Sequence, residues 1–273
     1  MSKFTLSFLT GVGILLLSSG CSHVRVGIPF TEGSAIDGLR VAGADTLQKM
    51  RGLDVGINNR VTEEFIGLSI DPAHRVRGKS TGLHLGGYSE VQESKDFTAQ
   101  IGVANRLNSG DLAAQVGLFN FVECEQGGQI GFINHGRFNE FGGKIGLLNI
   151  SQENSGALVG FMNLSRKSDG VTIGVINQAS SADASHEGWT LGLLNHAHET
   201  KGSQVGVINV AENPSVVTQL GVVNYARGLS GLQVGLINYA PGLRSPGVQL
   251  GFLNLGQAGA GAKGFPVLFR AKF

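Results

Sequence analysis

The sequence predicts an all-β repeat protein, a β-solenoid or roll with about 14–15 residues per repeat. Three observations predict it. A glycine-centred phrase recurs in one register along most of the chain, the segments carrying it are short and aliphatic, and turn-forming residues separate them. The phrase reads Gln100-Ile101-Gly102-Val103-Ala104-Asn105, then Gln115-Val116-Gly117-Leu118-Phe119-Asn120, then Gln129-Ile130-Gly131-Phe132-Ile133-Asn134. A period of this size marks stacked supersecondary units. About nine residues rich in Val, Ile, Leu and Phe remain between turns, which is strand length, and a glycine at each centre argues against helix.

The elements follow in chain order. Lys3 precedes an uncharged apolar stretch, Phe4 to Leu17, that falls short of the roughly 20 residues a spanning helix needs. Residues 1–20 are therefore expected to be an export signal. It ends in Leu17-Ser18-Ser19-Gly20-Cys21, and small residues before a cysteine at this place resemble the lipobox of bacterial lipoproteins. That resemblance implies cleavage before Cys21, diacylation of its thiol, palmitate on its amine and attachment to a membrane. The usual leucine sits one place nearer the cysteine than here. Ser22, in place of an aspartate, resembles the residue that lets such proteins reach the outer membrane. With Cys21 lipidated, Cys124 has no partner for an intrachain disulfide, and two flanking glutamates disfavour a reactive thiolate.

Residues 21–50 are irregular and are expected to form a tether and terminal cap, because a solenoid must cover its open end. The repeat body spans 51–256. Degenerate copies come first: Val55-Gly56-Ile57-Asn58-Asn59, Ile66-Gly67-Leu68 and Leu85-Gly86-Gly87-Tyr88-Ser89. A structural ladder is then expected at Gly102 and Asn105, Gly117 and Asn120, Gly131 and Asn134, Gly146 and Asn149, Gly160 and Asn163, and Gly174 and Asn177. It continues at Gly192 and Asn195, Gly206 and Asn209, Gly221 and Asn224, Gly235 and Asn238, and Gly251 and Asn254. Connectors such as Lys167-Ser168-Asp169-Gly170 carry turn chemistry and nearly all the charge. Residues 257–273 are expected to close the body with a final strand.

Strict alternation leaves neither face of a unit apolar. If the chain bends between Val207 and Ile208, the unit separates into Val205, Val207, Ile208 and Val210 on one side and Gln204, Gly206, Asn209 and Ala211 on the other. The expectation is that the aliphatic side is hidden and the Gln, Gly, Asn and Ala side forms a flat outer face. The frame Gln-x-Gly-x-x-Asn-x-Ala resembles the curlin repeat and the roll-forming repeat of trimeric autotransporter heads, although both of those carry small or polar residues after the glycine. More closely, residues 51 to 256 resemble bacterial surface-repeat lipoproteins built of GxQ[IVL]GLLN units behind an export signal. That likeness implies an envelope location and no known activity.

An antiparallel outer-membrane β-barrel is the alternative. Strands of about nine residues suit it, and the chain ends in the alternating Val267-Leu268-Phe269-Arg270-Ala271-Lys272-Phe273. Against it, each repeat would point Asn or Gln at lipid, and an unpaired buried amide costs roughly 1–3 kcal/mol or more. The solenoid is preferred.

No catalytic residue, metal or cofactor site is expected. Gly259-Ala260-Gly261-Ala262-Lys263-Gly264 fits a dinucleotide pattern, but Phe265-Pro266 follows where a helix must receive the phosphates. His196 and His198, with His186 nearby, are read as solvent-facing residues near a turn rather than metal ligands. Trp189, Tyr225 and Tyr239 are read as filling a core or sheet surface rather than a binding stripe. The net charge of +1 gives no basic field for nucleic acid. The functional expectation is a non-enzymatic cell-envelope lipoprotein, lipid-anchored at the outer membrane, with a structural or adhesive role; a membrane-embedded barrel or pore is the alternative.

Overall fold

The structure, a computed structural model, describes residues 15–19, 22–27, 35–179, 185–242, 247–256 and 267–272. The described residues are all-β, wound within each unit into stacked parallel coils of a β-solenoid, about 13 turns in all. The chain divides into two compact units, Met1–His135 and Gly136–Phe273.

In the first unit, β1 (Leu15–Ser19) and β2 (Ser22–Gly27) pair antiparallel. β2 then runs parallel to the start of β3 (Ala35–Asn154), with His23 opposite Gly38 and Gly27 opposite Ala42. The stretch read as tether and cap thus contains β2 and the first turn of β3, and Ile36, Arg40, Leu47 and Met50 are already buried. Cys21 and the first fourteen residues lie outside the described residues. β3 is one extended run that winds through successive turns. Its glycines show the stacking: a Cβ at Gly117 would lie 2.4 Å from the Gly102 carbonyl oxygen, and one at Gly131 would lie 2.2 Å from that of Gly117.

In the second unit the turns pair in parallel, like residue on like. The end of β3 pairs with β4 (Ala157–Ala179), Gly146 opposite Gly160 and Asn149 opposite Asn163. β4 pairs with β5 (Ser185–Leu220), Gly174 opposite Gly192 and Asn177 opposite Asn195. β5 pairs with β6 (Val223–Ala226) and β7 (Gly231–Tyr239), and β7 with β8 (Gly247–Leu255). β9 (Val267–Lys272) closes the sheet antiparallel to β8, while residues 257–266 lie outside the described set. Because neighbouring repeats run in the same direction, the antiparallel barrel considered as the alternative is not the architecture.

Each turn alternates until a corner where two adjacent side chains both point outward. Gln204 and Gly206 face in and Val205 and Val207 out; Ile208 then also faces out, Asn209 in, Val210 out and Ala211 in. Two residues before Gln129, Gln204 and Gln233 the chain turns at Gly127, Gly202 and Gly231, and at Gly202 this takes φ to +132°, which L side chains rarely adopt. The bend between Val207 and Ile208 is where the pattern places it.

The facing of the two sides is the reverse of the expectation. Gln204, Asn209 and Ala211 are buried, whereas Val207 and Ile208 are exposed and Val205 half-buried. The physical reason is the width of the coil. A Cβ at Gly206 would lie 2.1 Å from the Gly192 carbonyl oxygen and 2.7 Å from Asn195 Nδ2, so the Asn of one turn fills the room above the glycine of the next. An interior this narrow has no space for paired aliphatic rows.

Candidate functional site

The interior of the regular turns is two amide ladders. Each Asn Nδ2 donates to the Asn Oδ1 of the following turn: Asn105 to Asn120 at 2.9 Å, Asn195 to Asn209 at 2.8 Å and Asn224 to Asn238 at 2.8 Å. Its other N–H goes to a backbone carbonyl of that same turn, as from Asn195 to Val205 at 3.0 Å. The Gln ladder runs the opposite way, each Nε2 donating to the preceding turn: Gln129 to Gln115 at 2.8 Å, and Gln233 to Gln219 at 2.7 Å. Both N–H groups of a ladder Asn are thereby used, which is what burial of an amide requires. The Gln ladder stops between Gln129 and Gln204, where Lys144 sits opposite Leu158 and Thr172 opposite Thr190. Beside the shorter threonines a small cavity, with room for about one water molecule, is lined by Asn177, Ala197 and Gln204 among others.

The early turns of the first unit carry different residues at the same steps. Counting back from Gln100 by one turn at a time gives His84, Ser69, Asp54 and Arg40, all buried; counting back from Asn105 gives Ser89, His74 and Asn59, also buried. Asp71 takes the glycine step of its turn, as the contact of a Gly86 Cβ with the Asp71 carbonyl shows. These residues form a connected network, in which Arg40 Nη1 and Nη2 and His74 Nε2 find no hydrogen-bond partner among the described residues. Arg40 Nε lies 3.2 Å from Asp54 Oδ1. Asn59 Nδ2 joins the two carboxylates, donating to Asp54 Oδ1 at 2.9 Å and Asp71 Oδ1 at 2.6 Å. Asp71 Oδ2 also accepts from Ser69 Oγ and from His74 Nδ1, the latter at 2.9 Å. Phe65, His74 and His84 pack ring against ring, the two histidines with centroids 4.7 Å apart. Ser80 Oγ lies 2.8 Å from His84 Nε2. Burial, and then the neighbouring His74, hold the His84 imidazole well below its ordinary value.

Asp54, Asp71 and His74 present ligand atoms within 4.8 Å of one another, the one grouping among the described residues with metal-ligand spacing. The donor set does not fit a dication. Asp54 already pairs with Arg40, and both Asp71 oxygens accept hydrogen bonds from Asn59, Ser69 and His74. The arrangement is an internal charge-paired brace.

The outer surface is where the repeats converge on something other than themselves. In the second unit, outward rows run from turn to turn: Ile145 onto Val159, Ile173 onto Leu191, Leu220 onto Val234 and Leu250. Beyond the corner, Leu148 lies on Met162, Ile176 on Leu194, and Ile208 on Val223 and Ile237. Leu193 is 57% exposed, Leu236 60% and Phe252 77%. The first unit shows similar rows in Ile101, Val103, Val116, Leu118, Ile130 and Phe132, all exposed. Contiguous apolar surface of this kind marks contact with a protein or a membrane.

Other sequence candidates fall as follows. Trp189 is exposed, and Tyr225 and Tyr239 stack on successive turns with ring centroids 5.6 Å apart, so all three belong to the outer surface. His196 and His198 reach one carboxylate of the next turn, Glu212, at 3.2 and 2.6 Å. Those hydrogen bonds, His198's first, hold the Glu212 carboxyl below its ordinary value. Asn213 Nδ2 lies 3.0 Å from the other nitrogen of His198. The side chains of Cys124 and His186, and the whole of Gly259–Gly264, lie outside the described residues. Sequence reasoning missed the buried charged network; its signal was the ladder period itself, extended back through the degenerate copies.

Fold and ladders together define a parallel β-solenoid whose regular turns have an amide-laddered interior and an aliphatic exterior, and whose early turns bury a mixed charged and aliphatic core. No family model, characterised protein or solved structure matches the chain.

Proposed function

We propose that this chain is a non-enzymatic cell-envelope lipoprotein, anchored through Cys21, whose solenoid serves a structural or interaction role by presenting its outer face. The observation that carries the reading is the aliphatic rows: Leu193, Leu236 and Phe252 stand exposed on a scaffold whose amides are bonded to one another. The export-like start ending in Ser19-Gly20-Cys21 supports the envelope part. Lipid on one cysteine gives membrane affinity, and a second contact makes such anchoring stable. The interacting face under this reading is aliphatic, where the sequence reading had expected an amide face.

The test is metabolic labelling with palmitate in a diderm bacterial host. The wild-type chain incorporates label and fractionates with membranes; Cys21→Ser takes up none. Equal labelling of the two would overturn the anchor.

A further inference from the structure

We propose that the outer ridge of the second unit inserts into the hydrocarbon of a lipid surface, as a membrane contact separate from any lipid on Cys21. The inference rests on the envelope reading only in requiring a membrane within reach. Three observations carry it. The rows continue through eight successive turns, from Ile145 to Leu250. At the usual inter-strand spacing that is a band ~34 Å long. The rows also wrap a convex corner, since Leu147 and Leu148 on one turn, and Val207 and Ile208 on another, are adjacent residues that both point outward. Finally, two charged pairs, Lys201 with Glu187 and Lys167 with Asp169, lie in connectors outside these rows, while His196 with Glu212 lies in the row beside them. Aromatic side chains with one apolar and one polar end, Trp189, Tyr225 and Tyr239, flank the aliphatic rows, as they do at membrane interfaces.

Area decides between a lipid surface and a second copy. The two apolar rows of one flat side cover a strip ~13 Å wide, so that side offers on the order of 450 Å², about half of what each partner gives to a standard protein interface. A flat partner leaves the rows beyond the corner wet. Hydrocarbon is fluid and covers both sides of a ridge at once. The backbone raises no objection, because ladder pairing along the turns uses its N–H and C=O groups.

Trp189 is the chain's single tryptophan and lies exposed beside these rows, which supplies the readout. Full-length Cys21→Ser protein is mixed with phosphatidylcholine vesicles whose acyl chains carry bromine. The expected result is a blue shift and at least ~2-fold quenching of Trp189, as an indole moved into hydrocarbon contact should show. A triple variant, Leu193→Asn, Leu236→Asn and Phe252→Asn, is expected to lower that partition by at least ~10-fold, about the factor each buried apolar side chain contributes. Flotation alone does not serve, because the stretch Phe4 to Leu17 can hold the chain on vesicles by itself. A chain that floats with Trp189 unquenched overturns the proposal. So does a dimer in sedimentation that the triple variant abolishes while Trp189 stays unquenched; the ridge then belongs to a second copy. Wild-type quenching does not depend on the variant's folding. The palmitate experiment reads the Cys21 anchor separately, so either proposal can fail alone.

Discussion

The early turns of the first unit and the turns of the second share one set of inward steps and fill them in opposite ways. In the second unit the Gly and Asn steps repeat from turn to turn, Gln returns at Gln204, Gln219, Gln233 and Gln249 after Lys144, Leu158, Thr172 and Thr190, and Ala179, Ala197, Ala211, Ala226 and Ala240 are buried in succession. In the first they hold Arg40, Asp54, Asp71, His74 and His84, and the small alanine step becomes Leu47, Val61, Val76 and Val91. The difference follows from what stacks on itself. An amide is donor and acceptor at once, so identical residues a turn apart satisfy one another and the pattern can repeat indefinitely. A carboxylate above a carboxylate repels, so a charged interior must be built once, from unlike residues. The regular turns are a lattice; the early turns are a single assembled brace.

The largest effect should come from opening that brace. Arg40→Met removes the guanidinium beside Asp54 and leaves a buried carboxylate that keeps Asn59 and, at 4.0 Å, His74 beside it. The expected loss is about 3–5 kcal/mol, the usual consequence of removing one partner of a buried ion pair. Adding Asp54→Leu should restore part of it, since the charge is then gone as well. Urea midpoints of the single and double variants measure this, and equal loss in both would refute the charge argument.

A lattice should be damaged less by one vacancy. Asn209→Ala removes the acceptor of Asn195 Nδ2 and the donor to Asn224 Oδ1, each a 2.8 Å bond. About 1–3 kcal/mol is expected, because Asn195 keeps its second bond to the Val205 carbonyl. Hydrogen exchange should accelerate in the neighbouring turns of the second unit, while the early turns of the first stay unchanged.

Most of this architecture is legible in the sequence, and the part that is not has a definite cause. The period of Gly102, Gly117 and Gly131 gives the turn length, and the adjacent pair Val207-Ile208 gives the corner. The partition of Gln204, Gly206, Asn209 and Ala211 from Val205, Val207, Ile208 and Val210 is also correct. Its sense is not, because the rule that aliphatic residues face in presumes a core wide enough to receive them. Here Gly206 shows otherwise: the space above it belongs to Asn195. The brace was hidden for a related reason. Asp71 stands at a glycine step and His74 at an asparagine step, so motif matching passes over them, and only the period carried back from Gln100 and Asn105 finds them.

A subtler contrast is pH. The His84 imidazole is held well below its ordinary 6.5 by burial and by His74. As pH falls through about 6.5 the unfolded chain binds a proton at this position while the folded chain does not, so stability present above that value is lost progressively below it. His84→Gln puts the ladder residue at this step and should flatten the loss across that window. Carboxylates held low, such as Glu212 beside His196 and His198, act only nearer and below their ordinary 4.5. The check is the urea midpoint of each protein as a function of pH; parallel curves for wild type and variant between 6.5 and 5 would rule out His84 as the cause.

The smallest effect separates the fold from the surface it presents. Leu236 is 60% exposed, and replacing it by Ser disturbs neither ladder. Stability of the isolated protein should change by no more than about 0.5 kcal/mol, as for surface substitutions generally. An aliphatic core residue of a globular domain would lose several times that. If Leu236→Ser instead destabilises the protein in dilute solution by about 2 kcal/mol or more, the side chain is already covered there, and the exterior rows are packing rather than a presented face. A near-zero change would leave Asn209 and Leu236, one buried amide and one exposed aliphatic, as opposite cases of the usual rule: in this coil the polar residue holds the fold and the apolar one is free to meet a partner.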